Sequence, residues 1–168
     1  MKTRIQFLYF FLTILLPLSL FAQDPNAASY TARLNTFKHE CKTLIQPCRY
    51  DGSRITHYTA ANEKQQKSVE VYFLLAREYK LAFSGKECSN RVAVRIYDSE
   101  NENNRVLLKE IRNIQFRNAV VSSNELNTNY RKKKNNNNIR LKKVVVEYEI
   151  FPTDVNHQAA ILVIGYER

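Results

Sequence analysis

Glycine is scarce in this chain. Gly52, Gly85 and Gly165 are the only three in 168 residues, too few and too scattered for a loop that cradles phosphate on backbone N–H groups. Nucleotide-dependent enzymes of that kind are excluded. Tryptophan is absent, while the ten tyrosines and nine phenylalanines are spread along the chain, so no gathered aromatic platform is evident. His39, His57 and His157 have no second ligand at the i, i+4 spacing, and neither HExxH nor CxxC occurs; no metal site and no cofactor are expected. No GxSxG elbow is present and no catalytic residue is assigned.

The first residues read as a leader. Lys2 and Arg4 give a short basic start, residues 5–21 are almost continuously apolar, and small Ser19 and Ala22 close the run. A positive start, a short apolar segment and a small-residue exit mark a secretory signal peptide. The apolar run barely reaches the roughly 20 residues that span a bilayer. The expected division is a signal peptide over 1–22, cleaved near Ala22, and a single domain over 23–168, exported to the periplasm or the medium. Loss of Lys2 and Arg4 lowers the formal net charge from +10 to about +8. A basic exported protein raises the local concentration of anionic partners. The expected partners are an anionic envelope lipid or polysaccharide, or another envelope protein; nucleic acid belongs to another compartment.

Cysteine is limited to Cys41, Cys48 and Cys88. In an oxidising compartment the expectation is one disulfide and one odd thiol. Cys41 and Cys48 are about 10 Å apart along an unbroken helix, beyond disulfide reach, although Pro47 between them allows the chain to fold back. A bond from Cys88 to one of the other two is the favoured pairing, and all three stay candidates.

Residues 26–46 have a helical period, with Tyr30, Leu34, Phe37, Cys41, Leu44 and Ile45 on one stripe and Pro47 as the stop. A one-striped helix docks on something, here the domain's own sheet. From residue 50 onward the period changes to two. Val69, Val71, Phe73 and Leu75 share one face of a strand, and Tyr79, Leu81 and Phe83 share another. Val92, Val94 and Ile96 face inward against outward Arg95 and Tyr97. Residues 79–98 read as the central hairpin, with Gly85 and Cys88 near its turn. Residues 139–151 form the longest strand, and AAILVIGY near the C-terminus is apolar on both faces, which suits a doubly covered central strand. Residues 122–138, which include RKKKNNNN, lack periodicity and read as a mobile basic, Asn-rich loop.

Short strands, regular turns and no βαβ rhythm predict an all-β fold: an antiparallel β-sandwich of about seven or eight strands over 50–168 with one N-terminal α-helix over 26–46. The segments CRYDG, YKLAFSG with VAVRIYD, and ILVIGYER resemble small exported β-sandwich proteins of Bacteroidota, a group without an assigned activity. The "FAQ" at the end of the leader is similar to exported proteins of the same phylum. The resemblance implies fold and compartment and is silent on chemistry.

Two clusters carry chemical interest. Arg131, Lys132, Lys133, Lys134, Arg140, Lys142 and Lys143 are the densest positive charge and the expected contact for an anionic partner; lysines on a strand edge also block edge-to-edge pairing. Glu147 and Glu149 alternate on one strand face, and acids about 7 Å apart have the separation that glycoside hydrolysis uses. The expected function is binding or scaffolding in the bacterial cell envelope through a basic surface, without catalysis. The alternative is a small secreted hydrolase with an unfamiliar site.

Overall fold

The computed structural model describes residues 25–74 and 77–167. The expected signal peptide and Leu75 lie outside the described residues. The chain divides into two compact units, residues 1–32 and 33–168. Of the first, residues 25–32 begin helix α1 (Pro25–Leu44).

Eight strands follow the helix: β1 (Arg49–Tyr58), β2 (Gln65–Tyr72), β3 (Tyr79–Glu87), β4 (Val92–Tyr97), β5 (Leu107–Ile111), β6 (Asn118–Ser122), β7 (Lys143–Ile150) and β8 (Gln158–Tyr166), with a second helix, α2 (Ser123–Lys134), between β6 and β7. They form two four-stranded sheets, ordered β1-β8-β3-β6 and β2-β7-β4-β5. Every strand pairing is antiparallel. The all-β sandwich read from the alternation is the observed architecture.

The period-two pattern does what the physics of a pleated strand requires: alternate side chains from both sheets meet in one core. Leu81, Phe83, Leu162 and Ile164 come from the first sheet, and Val94, Ile96, Val144, Val146 and Tyr148 from the second. The opposite face of the first sheet is also dry. Ala82, Ile161 and Val163 are buried outside that core, as are Leu34, Cys41 and Ile45 of the helical segment. Residues 33–44 of α1 lie over this face. Arg33 Nη2 meets Glu87 at 2.6 Å, Lys86 Nζ meets Glu40 at 2.6 Å, and Asn118 donates to Glu40 at 3.3 Å. β8 is thus covered on both faces, as its unbroken apolar run implied. Gly165 makes the close approach feasible: a Cβ there would stand 2.5 Å from Ile45 Cδ1 and 3.1 Å from the Arg49 carbonyl oxygen.

Two expectations are corrected. Residues 79–98 are not a hairpin. β3 pairs with β6 and β8, whereas β4 pairs with β5 and β7, so the connection crosses from one sheet to the other. The crossing is pinned. Cys88 enters the core, Ser89 donates from both its N–H and its hydroxyl to Gln158 Oε1 at 2.7 and 2.8 Å, and Asn90 donates to the Phe151 carbonyl. Alternation reports which face is buried, not which strand is the hydrogen-bonded neighbour.

The stretch 122–138 is not a loop throughout, because α2 occupies most of it. Ser122 caps the helix by accepting from the Glu125 N–H at 3.1 Å, and Asn135 ends it in the left-handed conformation at φ 49°. Ser at the cap and Glu three residues on form the capping-box pattern. Asn is among the few residues that tolerate the left-handed C-terminal position. Leu126 is the helix's only buried large apolar residue, too thin a stripe for periodicity to reveal.

Candidate functional site

The outer face of the second sheet carries the two acids that suggested hydrolysis. Both are engaged. Glu147 is buried and receives Arg105 Nη1 at 2.7 Å and Gln66 Nε2 at 3.4 Å. Glu149 lies between Lys64 Nζ and Arg95 Nη2, each at 2.9 Å. The Lys64 hydrogen bond, reinforced by Arg95, holds the Glu149 carboxyl below the usual carboxylate range. A general acid at neutral pH needs the opposite shift. Arg95 also binds Glu110 at 3.1 Å, and the Arg105 guanidinium stacks 3.9 Å from the centre of the Tyr97 ring. This face is a lattice of closed charge pairs.

The cysteines are structural. Cys41, Cys48 and Cys88 are all free and buried, which corrects the expected disulfide. Cys88 sits in the inter-sheet core and Cys41 on the buried side of α1, on opposite faces of the first sheet, so β3 and β8 stand between them. Burial pushes the Cys41 and Cys88 thiols up to about 11 and raises Cys48 as well. Reactive cysteines require a lowered value and access. His39, His57 and His157 are exposed. Among the described residues no group of three or more His, Cys, Asp and Glu is placed to hold a metal ion.

The basic cluster is divided by the fold. It lies in the last turn of α2 and on the return to β7, but its members turn different ways. Lys143 pairs with Glu70, Lys134 lies 3.8 Å from Asp98, and Lys133 donates to the Leu107 carbonyl. The Glu70 carboxyl is held low, first by its hydrogen bond from Lys143 and then by that from Tyr72. Lys132 and Lys142 are exposed. Arg131 and Arg140 go elsewhere.

They line a small cleft between α2, the end of β2, the entry to β3 and the approach to β7, together with Phe73, Leu74, Arg77, Glu78, Asn124 and Asn127. Residues 124, 127 and 131 fall on one face of α2 through the three- and four-residue spacing of a helix. Several wall groups are fixed. Asn127 donates to the Ser123 carbonyl at 2.8 Å and accepts from the Leu141 N–H at 2.8 Å. Arg131 Nε donates to the Ile139 carbonyl at 3.0 Å, and the Arg77 guanidinium stacks 4.5 Å from the centre of the Tyr166 ring. Stacking on a ring face leaves the edge N–H groups of a guanidinium directed outward. Three guanidinium groups and one carboxylate, Glu78, give the cleft wall an excess of two positive charges. Leu74, 62% exposed, supplies an apolar rim. The cleft is small enough that a few waters, or one oxyanion head, would fill it.

Arg77 is the member that the charge pattern missed. It sits in LLAREYK, far from the basic run in sequence, and only the path of β3 beside α2 brings it in.

No protein-family model matches the chain, and no curated protein is similar to it. Among solved structures, the chain is similar to that of TmCBM61 in complex with beta-1,4-galactotriose, with 10% sequence identity and a TM-score of 0.32, over 74% of this chain and 90% of that one. A likeness of that degree carries no argument about ligand or mechanism.

Proposed function

We propose that this chain is an exported, non-catalytic β-sandwich that binds an anionic component of the bacterial cell envelope through its basic surface. One observation carries the reading: Arg77, brought in from before β3, lines one cleft with Arg131 and Arg140. A gathering of like charge is a natural place for a partner of opposite charge. Export is supported by the basic and apolar segments of residues 1–22. The hydrolase alternative has less behind it, because Glu147 and Glu149 are held by Arg105, Lys64 and Arg95 and the thiols are buried.

The test is retention of the mature chain on anionic vesicles and on polygalacturonate beads across a salt series. Retention at low salt that fades as salt rises is the expected result. Replacing Arg77, Arg131 and Arg140 by Gln should abolish it, whereas Lys133→Gln and Lys134→Gln together should weaken it only slightly, since those lysines are already engaged. Absence of retention on both supports at low salt would defeat the reading. Export is tested separately by the N-terminal sequence of the protein recovered from the medium or periplasm, where a retained Met1 would refute cleavage.

A further inference from the structure

We propose that the end of the sandwich opposite α2 is a membrane-contact surface: Phe116 and Val155 enter the apolar margin of an anionic bilayer, and Arg112 and Arg117 meet its head groups. This surface shares no residue with the arginine cleft and does not rest on it.

Four connections gather at this end, residues 59–64, 88–91, 112–117 and 151–157, and each carries the chain from one sheet to the other. They are stitched together. Ala61 and Thr153 exchange backbone hydrogen bonds at 2.9 and 3.0 Å. Asn90 donates to the Phe151 carbonyl, and Gln115 Nε2 donates to the Ser89 carbonyl at 2.6 Å. A surface braced in this way loses little freedom on docking.

Phe116 is the residue that the fold does not use. Its φ is 55°, in the left-handed region that a bulky side chain rarely adopts and that Gly or Asn fills at less cost. Gly85 locks it there. The Phe116 N–H donates to the Gly85 carbonyl at 2.9 Å, and the Gly85 N–H donates to the Arg117 carbonyl at 3.0 Å. A Cβ on Gly85 would stand 2.2 Å from the Ile114 carbonyl oxygen, so the close approach depends on glycine. The Phe116 ring is nonetheless 65% exposed, and burial within the chain offsets little of the strain. A single exposed apolar residue is ordinary. A strained one on a braced turn, with exposed Val155 on a stitched loop of the same end, is a surface whose burial comes from outside the chain.

Charge names the occupant. Arg112 and Arg117 flank Phe116 in sequence and are exposed. Exposed Arg91 lies beside them and donates to the Arg112 carbonyl at 3.3 Å. The four connections hold Lys64, Arg91, Arg112 and Arg117 against Glu63 and Asp154. Basic side chains near an anionic bilayer add attraction one by one, and arginine stems lie along an apolar margin while their heads stay with the phosphates. Phe116 and Val155 carry no polar atom to fix a sugar or a peptide in one orientation, so a fluid apolar partner suits them better than a polysaccharide.

The chain has no tryptophan, so Phe116→Trp reports from that position alone. Its emission is measured in the mature chain with vesicles of phosphatidylglycerol and phosphatidylcholine, with phosphatidylcholine alone, and with polygalacturonate. The expected result is a blue shift on the anionic vesicles, with quenching by brominated acyl chains. Sedimentation with the same vesicles compares the parent with the Phe116→Asn, Val155→Ser double variant. Asn suits the left-handed backbone, so thermal unfolding of the double variant should match the parent, while its vesicle binding falls about tenfold or more. Quenching that persists when Arg77, Arg131 and Arg140 are also Gln supports this surface independently of the cleft. Equal sedimentation of the parent and the double variant, with unquenched emission, would overturn the membrane contact and leave the cleft reading standing. An emission shift with polygalacturonate and none with vesicles would assign a polysaccharide and overturn it too. No sedimentation with anionic vesicles at low salt would end it.

Discussion

The two outer faces of the sandwich solve one problem in opposite ways. Each sheet buries one face in the common core and must dispose of the other. The first sheet makes its outer face apolar, with Ala82, Ile161 and Val163, and lays residues 33–44 of α1 over it. The second has no helix over its outer face among the described residues and lines it with Glu147, Glu149, Arg95, Arg105 and Lys64 in closed pairs. Glu147 and Val145 are nonetheless buried there, because the long arginine side chains lie across the strands and their aliphatic parts cover the surface. One face is dried by a helix and the other by crossing charges.

Charge placed on the helix-covered face should do the greatest damage. Ile161→Asp puts a carboxylate where the residue is 1% exposed, with no arginine built to meet it. Burial of an unpaired charge is among the few single changes that cost about 4 kcal/mol or more, so the variant should be unfolded or recovered only as aggregate. A carboxylate at an exposed position of the other face, Ser68→Asp, should stay within about 1 kcal/mol by denaturant titration even though it stands opposite Glu147. Comparable losses from both would erase the distinction between the faces.

Thiol labelling tests the covered face without a substitution. Cys41 lies on the buried side of α1 and Cys88 in the core, both fully buried with thiols raised to about 11. Neither should react with a thiol reagent near neutral pH in the native protein, and all three cysteines should react once it is unfolded. A covalent Cys41–Cys88 link found under non-reducing conditions would contradict the sheet that separates them.

A smaller effect is expected from opening one pair on the charged face. Glu147→Ala leaves Arg105 without its 2.7 Å partner and removes the acceptor for Gln66. Hydrogen bonds to charged groups contribute about 1.5–3 kcal/mol when buried, and the partial exposure of Arg105 lowers that to about 1–2 kcal/mol. A double change, Glu147→Ala with Arg105→Ala, should cost little more than the single one. Additive losses would show that the two side chains act independently.

These contrasts also show what a sequence can carry. Alternation in VAVRIYD and VVVEYEI marked the buried faces correctly, because period two follows from the pleat itself. The doubly covered β8 was legible for the same reason: an unbroken apolar run has no wet side. Strand partners were not legible. Residues 79–98 have the pattern of a hairpin, but the pinning of Ser89 to the Gln158 side chain and of Asn90 to the Phe151 carbonyl depends on partners 69 and 61 residues away in sequence. α2 was not legible and 122–138 read as a loop, since a helix that buries little carries little periodicity. The basic cluster was visible as composition. Its division was not, because the acids that engage the lysines, Asp98 and Glu70, and the Arg77 that joins the cleft come from other strands and turns.

The gentlest probe of the charged face is acid. Glu149 has its carboxyl held below the usual value of 4.5 by Lys64, with Arg95 assisting. Folding therefore favours its ionised form, and the unfolded chain takes up the proton first as pH falls. The stability this group contributes is present in full at neutral pH. It declines once pH drops below about 4.5 and is gone when pH has passed its lower folded value. Glu149→Gln should be slightly less stable than the parent at neutral pH, and the gap should narrow steadily in acid. Urea midpoints at about pH 7, 5 and 3 measure it, taken at high salt as well as low, since screening of partly exposed pairs should shrink the gap at every pH. A gap that held constant to the lowest pH would mean that Glu149 contributes through its shape and not its charge, and that the charged face is dried by packing alone.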